Sequence, residues 1–162
     1  MIKELWTLVK MLFASDPKKK EKVSLLGMDC FPFKGYKYFM WCGYMIYRND
    51  MYDRRQKEWP TDKFKTDERH EQIHLEQARK CGSWMKYYRK YLWEWLKGNP
   101  VINPASSAYM TIPWEIAAYA NQDNPDYLKN FVDDSDKRYN LKGRKSVYRK
   151  YRSSWIEYIK TL

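Results

Sequence analysis

The sequence has no apolar run of the roughly 18 residues that a membrane-spanning helix needs, which excludes such a helix. Cysteine is sparse. The three present, Cys30, Cys42 and Cys81, are an odd number with neither a CxxC pair nor zinc-ribbon spacing, so they read as reduced thiols. The N-terminus, Met1-Ile2-Lys3-Glu4-Leu5-Trp6 running to Phe13, is interrupted by Glu4 and Lys10. No small-residue cleavage site follows, so it makes a poor secretory signal and the cytoplasm is the expected location. Internal repeats and low-complexity tracts are absent. Acid is in short supply, 20 Asp and Glu against 31 Lys and Arg, and histidine is the rarest functional residue, with two in the chain.

The 162 residues suffice for one compact domain with a sizeable core. A net charge of +11 implies attraction to polyanions without identifying one. The densest basic segment runs from Asn140 to Arg152, where Lys142, Arg144, Lys145, Arg149, Lys150 and Arg152 occur with no acidic residue and are interleaved with Tyr148 and Tyr151. Such a segment can neutralise phosphates and stack bases. A nucleic-acid-binding or purely structural module is therefore the alternative to an enzyme, although no RRM, KH, homeodomain or zinc-finger signature accompanies it. The 15 Tyr and 8 Trp supply core volume and equally supply stacking surface.

Periodicity predicts an α+β chain that is mostly helical. Residues 1–16 hold an amphipathic helix with Ile2, Leu5, Trp6, Val9, Leu12 and Phe13 on one stripe, ended by Asp16-Pro17; Lys18, Lys19, Lys20 and Lys22 follow, so docking on a membrane surface competes with docking on the domain. Strands are expected from Val23 to Met28 and from Tyr36 to Tyr47, with Pro32 and Gly35 supplying the turn between them. A helical region over 66–97 is capped by Thr66 or Asp67, divided at Gly82 and stopped at Gly98-Asn99-Pro100. After a loop from Asn99 to Ser107, Pro113 opens a helix over 113–122. A short helix from Pro125 to Val132 and a basic amphipathic helix within 140–162 complete the reading.

Both histidines fall in one string, His70-Glu71-Gln72-Ile73-His74, with HExxH spacing. Chance placement of two histidines and nine glutamates produces this arrangement roughly once in 1500 sequences. On a helix, residues four apart share a face, so both imidazoles can reach one metal ion while Glu71 projects beside its open position. A hydrolytic zinc site takes three protein ligands and leaves the fourth place to a water whose pKa falls to about 7. Glu71 is the natural general base for that water.

With no third histidine, and no cysteine in a supporting context, the remaining ligand must be a carboxylate. On an unbroken helix Glu94 sits 20 residues beyond His74, about 30 Å away, and Glu76, two residues on, faces away from it. Glu115 is the better candidate, because it follows a loop long enough to reverse the chain.

His70-Glu71-Gln72-Ile73-His74 followed by Glu115 resembles the gluzincin arrangement of zinc metallopeptidases, in which HExxH is completed by a glutamate on a later helix. More narrowly, HEQIHLEQ and PWEIAAYAN look like two blocks of small bacterial HExxH domains, and the resemblance covers about Lys65 to Tyr127. It implies a zincin-like fold with a small sheet beside the HExxH helix, and zinc held by His70, His74 and Glu115. It also implies a peptide or protein substrate whose extended chain pairs with the strand from Tyr36 to Tyr47. One departure stands out: thermolysin-like members place an Asp four residues after the ligand glutamate to support a histidine, and here that position is Tyr119. Tyr109, Tyr119 and several arginines are available to stabilise an oxyanion, none favoured by spacing.

Overall fold

A computed structural model describes residues 2–32, 37–51, 61–98 and 105–162, with the backbone alone at 105 and 106. The expected turn glycine Gly35 and the loop residues 99–104 lie outside the described residues. Among the described residues the chain is predominantly helical α+β with one small sheet. It falls into two compact units, Met1–Met85 and Lys86–Leu162, with the boundary inside an uninterrupted helix.

In the first unit, helix α1 (Ile2–Ala14) ends before a 3-10 turn at Pro17–Lys19 that the Asp16 side chain caps. Strand β1 (Ser24–Met28) pairs in parallel with β3 (Tyr44–Arg48), and β2 (Phe39–Trp41) pairs antiparallel on the other side of β3. The register sets Ser24 opposite Tyr44 and Trp41 opposite the same tyrosine. The single strand expected from Tyr36 to Tyr47 is thus two strands. Cys42 (φ 51°) and Gly43 (φ 80°) reverse the chain between them, both in the left-handed region that a two-residue hairpin turn requires. Leu8, Met28 and Ile46 form the core, with Met11, Leu26 and Trp41 packed on it.

α1 meets this core through Leu8 and Met11, and the Trp41 indole N–H donates to the Leu8 carbonyl at 2.8 Å. Within the apolar stripe of α1, Val9 and Leu12 are half-buried. Ile2, Leu5, Trp6 and Phe13 are exposed.

Helix α2 (Asp62–Cys81) begins earlier than expected because Thr61, rather than Thr66 or Asp67, is its N-cap, its hydroxyl accepting from the Phe64 N–H at 3.3 Å. The histidine motif consequently sits mid-helix, where both rings are flanked by full turns. At the other end Gly82 adopts φ 79° and donates to the carbonyls of Ala78 and Arg79, separating α2 from α3 (Trp84–Lys97). Gln72 and Arg79 tie α2 to the chain before β1: the Gln72 Oε1 accepts from the Val23 N–H at 3.0 Å, and the Arg79 guanidinium donates to the carbonyls of Pro17 at 3.2 Å and Glu21 at 2.9 Å.

The second unit holds most of α3, then α4 (Ala105–Met110), α5 (Pro113–Asn121), α6 (Ser135–Arg138), α7 (Arg144–Lys150) and α8 (Trp155–Lys160). Its core gathers Ile116, Ala117, Tyr139, Trp155 and Ile159. Two expected helices are corrected. From Pro125 to Val132 there is only a 3-10 turn at Tyr127–Asn130. The basic helix of 140–162 breaks at Tyr151 (φ −108°, ψ 18°) and passes through a 3-10 turn before α8. Aromatic packing accounts for the break: on one straight helix Tyr151 and Tyr158 would stand about 10.5 Å apart along the axis, whereas their rings stack at 4.1 Å.

A Cβ at Gly82 would meet nothing within 4 Å, so substitution there carries only the backbone cost of the left-handed conformation. Gly82→Ala should lower unfolding stability by about 1 kcal/mol, read from the denaturant midpoint at constant slope. An unchanged midpoint would show that the α2–α3 junction tolerates a different cap.

Candidate metal centre

His70, Ile73, His74 and Gln77 recur at i, i+3, i+4 and i+7, the spacing of a core-facing helical stripe, and all four are buried. Three of these four positions are polar. Burying polar groups costs free energy unless each is matched, so the stripe is organised around its hydrogen-bonding atoms rather than around apolar contact.

The matching is specific. His74 Nδ1 lies 2.8 Å from Gln77 Oε1, and His74 Nε2 lies 3.2 Å from His70 Nε2. An amide oxygen only accepts, so His74 Nδ1 carries the proton, and in the neutral ring its Nε2 presents a lone pair. Without a metal, the 3.2 Å contact is a hydrogen bond donated by the His70 Nε2–H. The rings meet edge to face, with centroids 4.8 Å apart and planes at 81°. Two nitrogens bound to one tetrahedral zinc at about 2.0–2.1 Å lie about 3.3 Å from each other. The histidine pair already stands at that ligand spacing.

Glu115 lies in the first turn of α5, opened by Pro113, and is buried. Its Oε1 accepts from the Tyr91 hydroxyl at 2.7 Å, and Tyr109 also hydrogen-bonds the carboxylate. Burial, and then the nearby Glu115 charge, hold the Tyr109 phenol well above its ordinary range, so it stays a protonated donor. Tyr87 stacks on Trp114 at 4.8 Å, and the Lys90 ammonium sits 4.7 Å over the Trp114 ring, which fixes α5 against α3 where Tyr91 reaches Glu115.

His70, His74 and Glu115 form a buried group whose ligand atoms lie within 4.8 Å of one another, and this group could bind a metal ion. Two imidazoles and a carboxylate suit zinc and other divalent first-row ions alike. Glu71 is half-buried in the same turn of α2. The two glutamates set aside on spacing are engaged elsewhere: Glu94 receives Arg144 at 2.9 Å and Lys97 at 2.6 Å, and Glu76 pairs with Arg79.

The basic segment divides. Lys142, Arg149, Lys150 and Arg152 are exposed and Lys145 is half-buried. Arg144 is withdrawn from the expected polyanion face: it is buried, donating to Glu94 and to the Thr111 carbonyl at 3.2 Å. Two contributors carried no assigned role in the sequence. Gln77 was marked only by standing three residues after His74, while Tyr91 lies 24 residues before Glu115 and had no spacing to betray it.

Comparison of the chain with protein-family models, with curated proteins and with solved structures finds no match.

If Gln77 orients His74 for a metal, Gln77→Ala should weaken zinc binding roughly 10–100-fold in a chelator-competition titration while helix content is preserved. Equal affinity in the variant would remove Gln77 from the site.

Proposed function

We propose that this chain is a zinc-dependent hydrolase of gluzincin type, a metallopeptidase, with His70, His74 and Glu115 as metal ligands and Glu71 as general base. The observation that carries the reading is the 3.2 Å approach of two buried imidazole nitrogens, one of them oriented by Gln77. Two buried imidazoles at metal-ligand spacing suit a cation, and the string that supplies them places a glutamate immediately after the first histidine.

When bound, the ion would act as a Lewis acid, polarising a substrate carbonyl and acidifying water. The rest falls to the protein. Gln77 keeps His74 in the tautomer whose Nε2 is free of a proton. Tyr91 and Tyr109 keep Glu115 oriented. Glu71 takes a proton from the attacking water and returns it to the departing amine, a transfer worth typically 10²–10⁴-fold in rate.

An extended substrate fits the reading with one change from the sequence expectation. Tyr44–Arg48 is the central strand and is paired on both sides, so an added strand would use the outer edge of β1 or of β2. The cysteines Cys30, Cys42 and Cys81 are unbridged, which supports a cytoplasmic, reducing setting. Among the described residues no helix is long and apolar enough to cross a membrane. Four exposed cations of the basic segment keep non-specific polyanion binding as a secondary property.

Glu71→Gln removes the base and preserves side-chain size. It should leave zinc stoichiometry unchanged and abolish hydrolysis of a casein or mixed-peptide substrate, a drop of about 10² or more. Hydrolysis persisting in this variant, with wild-type zinc content, would contradict the assignment of Glu71.

A further inference from the structure

α1 is held against the sheet of its unit by three contacts on one side, and its opposite side is apolar. Leu8 is buried, and its carbonyl receives the Trp41 indole N–H. Glu4, the helix's acidic residue, is turned toward the protein, where its carboxylate accepts from the Asp29 N–H at 2.6 Å and the Cys30 N–H at 2.9 Å. With the helix fixed in that rotation, Ile2, Leu5, Trp6 and Phe13 project outward, 72%, 52%, 61% and 74% exposed.

The charges around this stripe have one dominant sign. Lys3 and Lys10 stand three residues before and four after Trp6, one turn away on its side of the helix, and both are exposed. Lys18 and Lys19, in the turn that follows, and Lys22 beyond it are exposed too. Against these five cations stand Glu21 and the half-buried Asp16, which caps the turn through the Lys18 N–H. Lys20 is used inside the unit, 3.6 Å over the Tyr44 ring.

We infer that α1 is an interfacial helix that lays this face on an anionic lipid surface. A helix of 13 residues is about 20 Å long, too short to span a bilayer but suited to lie in its plane. The aromatic and aliphatic side chains enter the acyl boundary, and the flanking lysines meet lipid phosphates. An apolar stripe bordered by cations fits an anionic membrane better than a second copy of this strongly basic chain, which would set like charges against each other. The inference is independent of the metal-site reading.

The test is co-sedimentation of the full chain with vesicles of phosphatidylcholine alone and of equimolar phosphatidylcholine and phosphatidylglycerol. Binding to the mixed vesicles and not to the neutral ones is expected. Trp6→Ser with Phe13→Ser, both at exposed positions, should weaken that binding roughly tenfold or more with far-UV circular dichroism unchanged. Lys3→Glu with Lys10→Glu should also weaken it. Absence of binding to the mixed vesicles would overturn the inference. So would binding that the Trp6 and Phe13 changes leave intact, because charge alone would then account for it. Lipid-free dimers in light scattering that the same changes dissolve would overturn it as well, by assigning the face to a second copy.

Discussion

Two imidazole nitrogens facing each other at 3.2 Å inside a protein constrain everything around them. Both cannot carry a proton at that distance, and both rings are buried. The pair persists either as one hydrogen bond or as two lone pairs on a shared cation, and the surroundings must specify which nitrogen holds which proton. Gln77 does so for His74 by accepting from Nδ1, and this requires Gln77 to be buried beside it, one turn along the same stripe. The polar stripe of α2 follows from that requirement. An apolar helix at these positions would pack more cheaply.

A stripe of this kind needs a helix that does not shift. In the first unit Gln72, between the two histidines, and Arg79, beyond them, fasten α2 to the backbone at Val23, Pro17 and Glu21, while Thr61 and Gly82 fix its ends. In the second unit the same economy holds around Glu115. The Tyr87–Trp114 stack and the Arg144 bonds to Glu94 and the Thr111 carbonyl position α5, so that Tyr91 and Tyr109 meet the carboxylate. Arg144 therefore serves the fold. A buried, paired guanidinium that lost its partner would be left uncompensated, which is why this cation is not free to bind an external anion.

Local signals were legible in the sequence and non-local ones were not. The helix carrying His70 and His74, its stop at Gly82 and the Pro113-led helix all rest on residues whose conformational preferences act within one turn. The reversal at Cys42–Gly43 is not legible because cysteine at φ 51° announces no turn, and a run of β-branched and aromatic residues continues through it. The break at Tyr151 is not legible because the stacking of Tyr151 on Tyr158 competes with helix continuity only once α7 and α8 fold back. α1 has apolar residues on more than one side, so periodicity could not say that Leu8 and Met11 would be covered and Trp6 left out. At the site, His70, His74 and Glu115 were legible from residue type and elimination; the Tyr91 contact depends on packing that spacing does not encode.

The central claim is that His70, His74 and Glu115 hold one metal ion, and elemental analysis of untagged protein tests it most directly. The account predicts about one zinc per chain in the wild type after zinc is offered and excess removed, with zinc lost in both His70→Ala and Glu115→Ala while circular dichroism reports a folded chain. Wild-type protein that retains no metal under those conditions, or a Glu115→Ala variant that keeps its zinc in full, would contradict it.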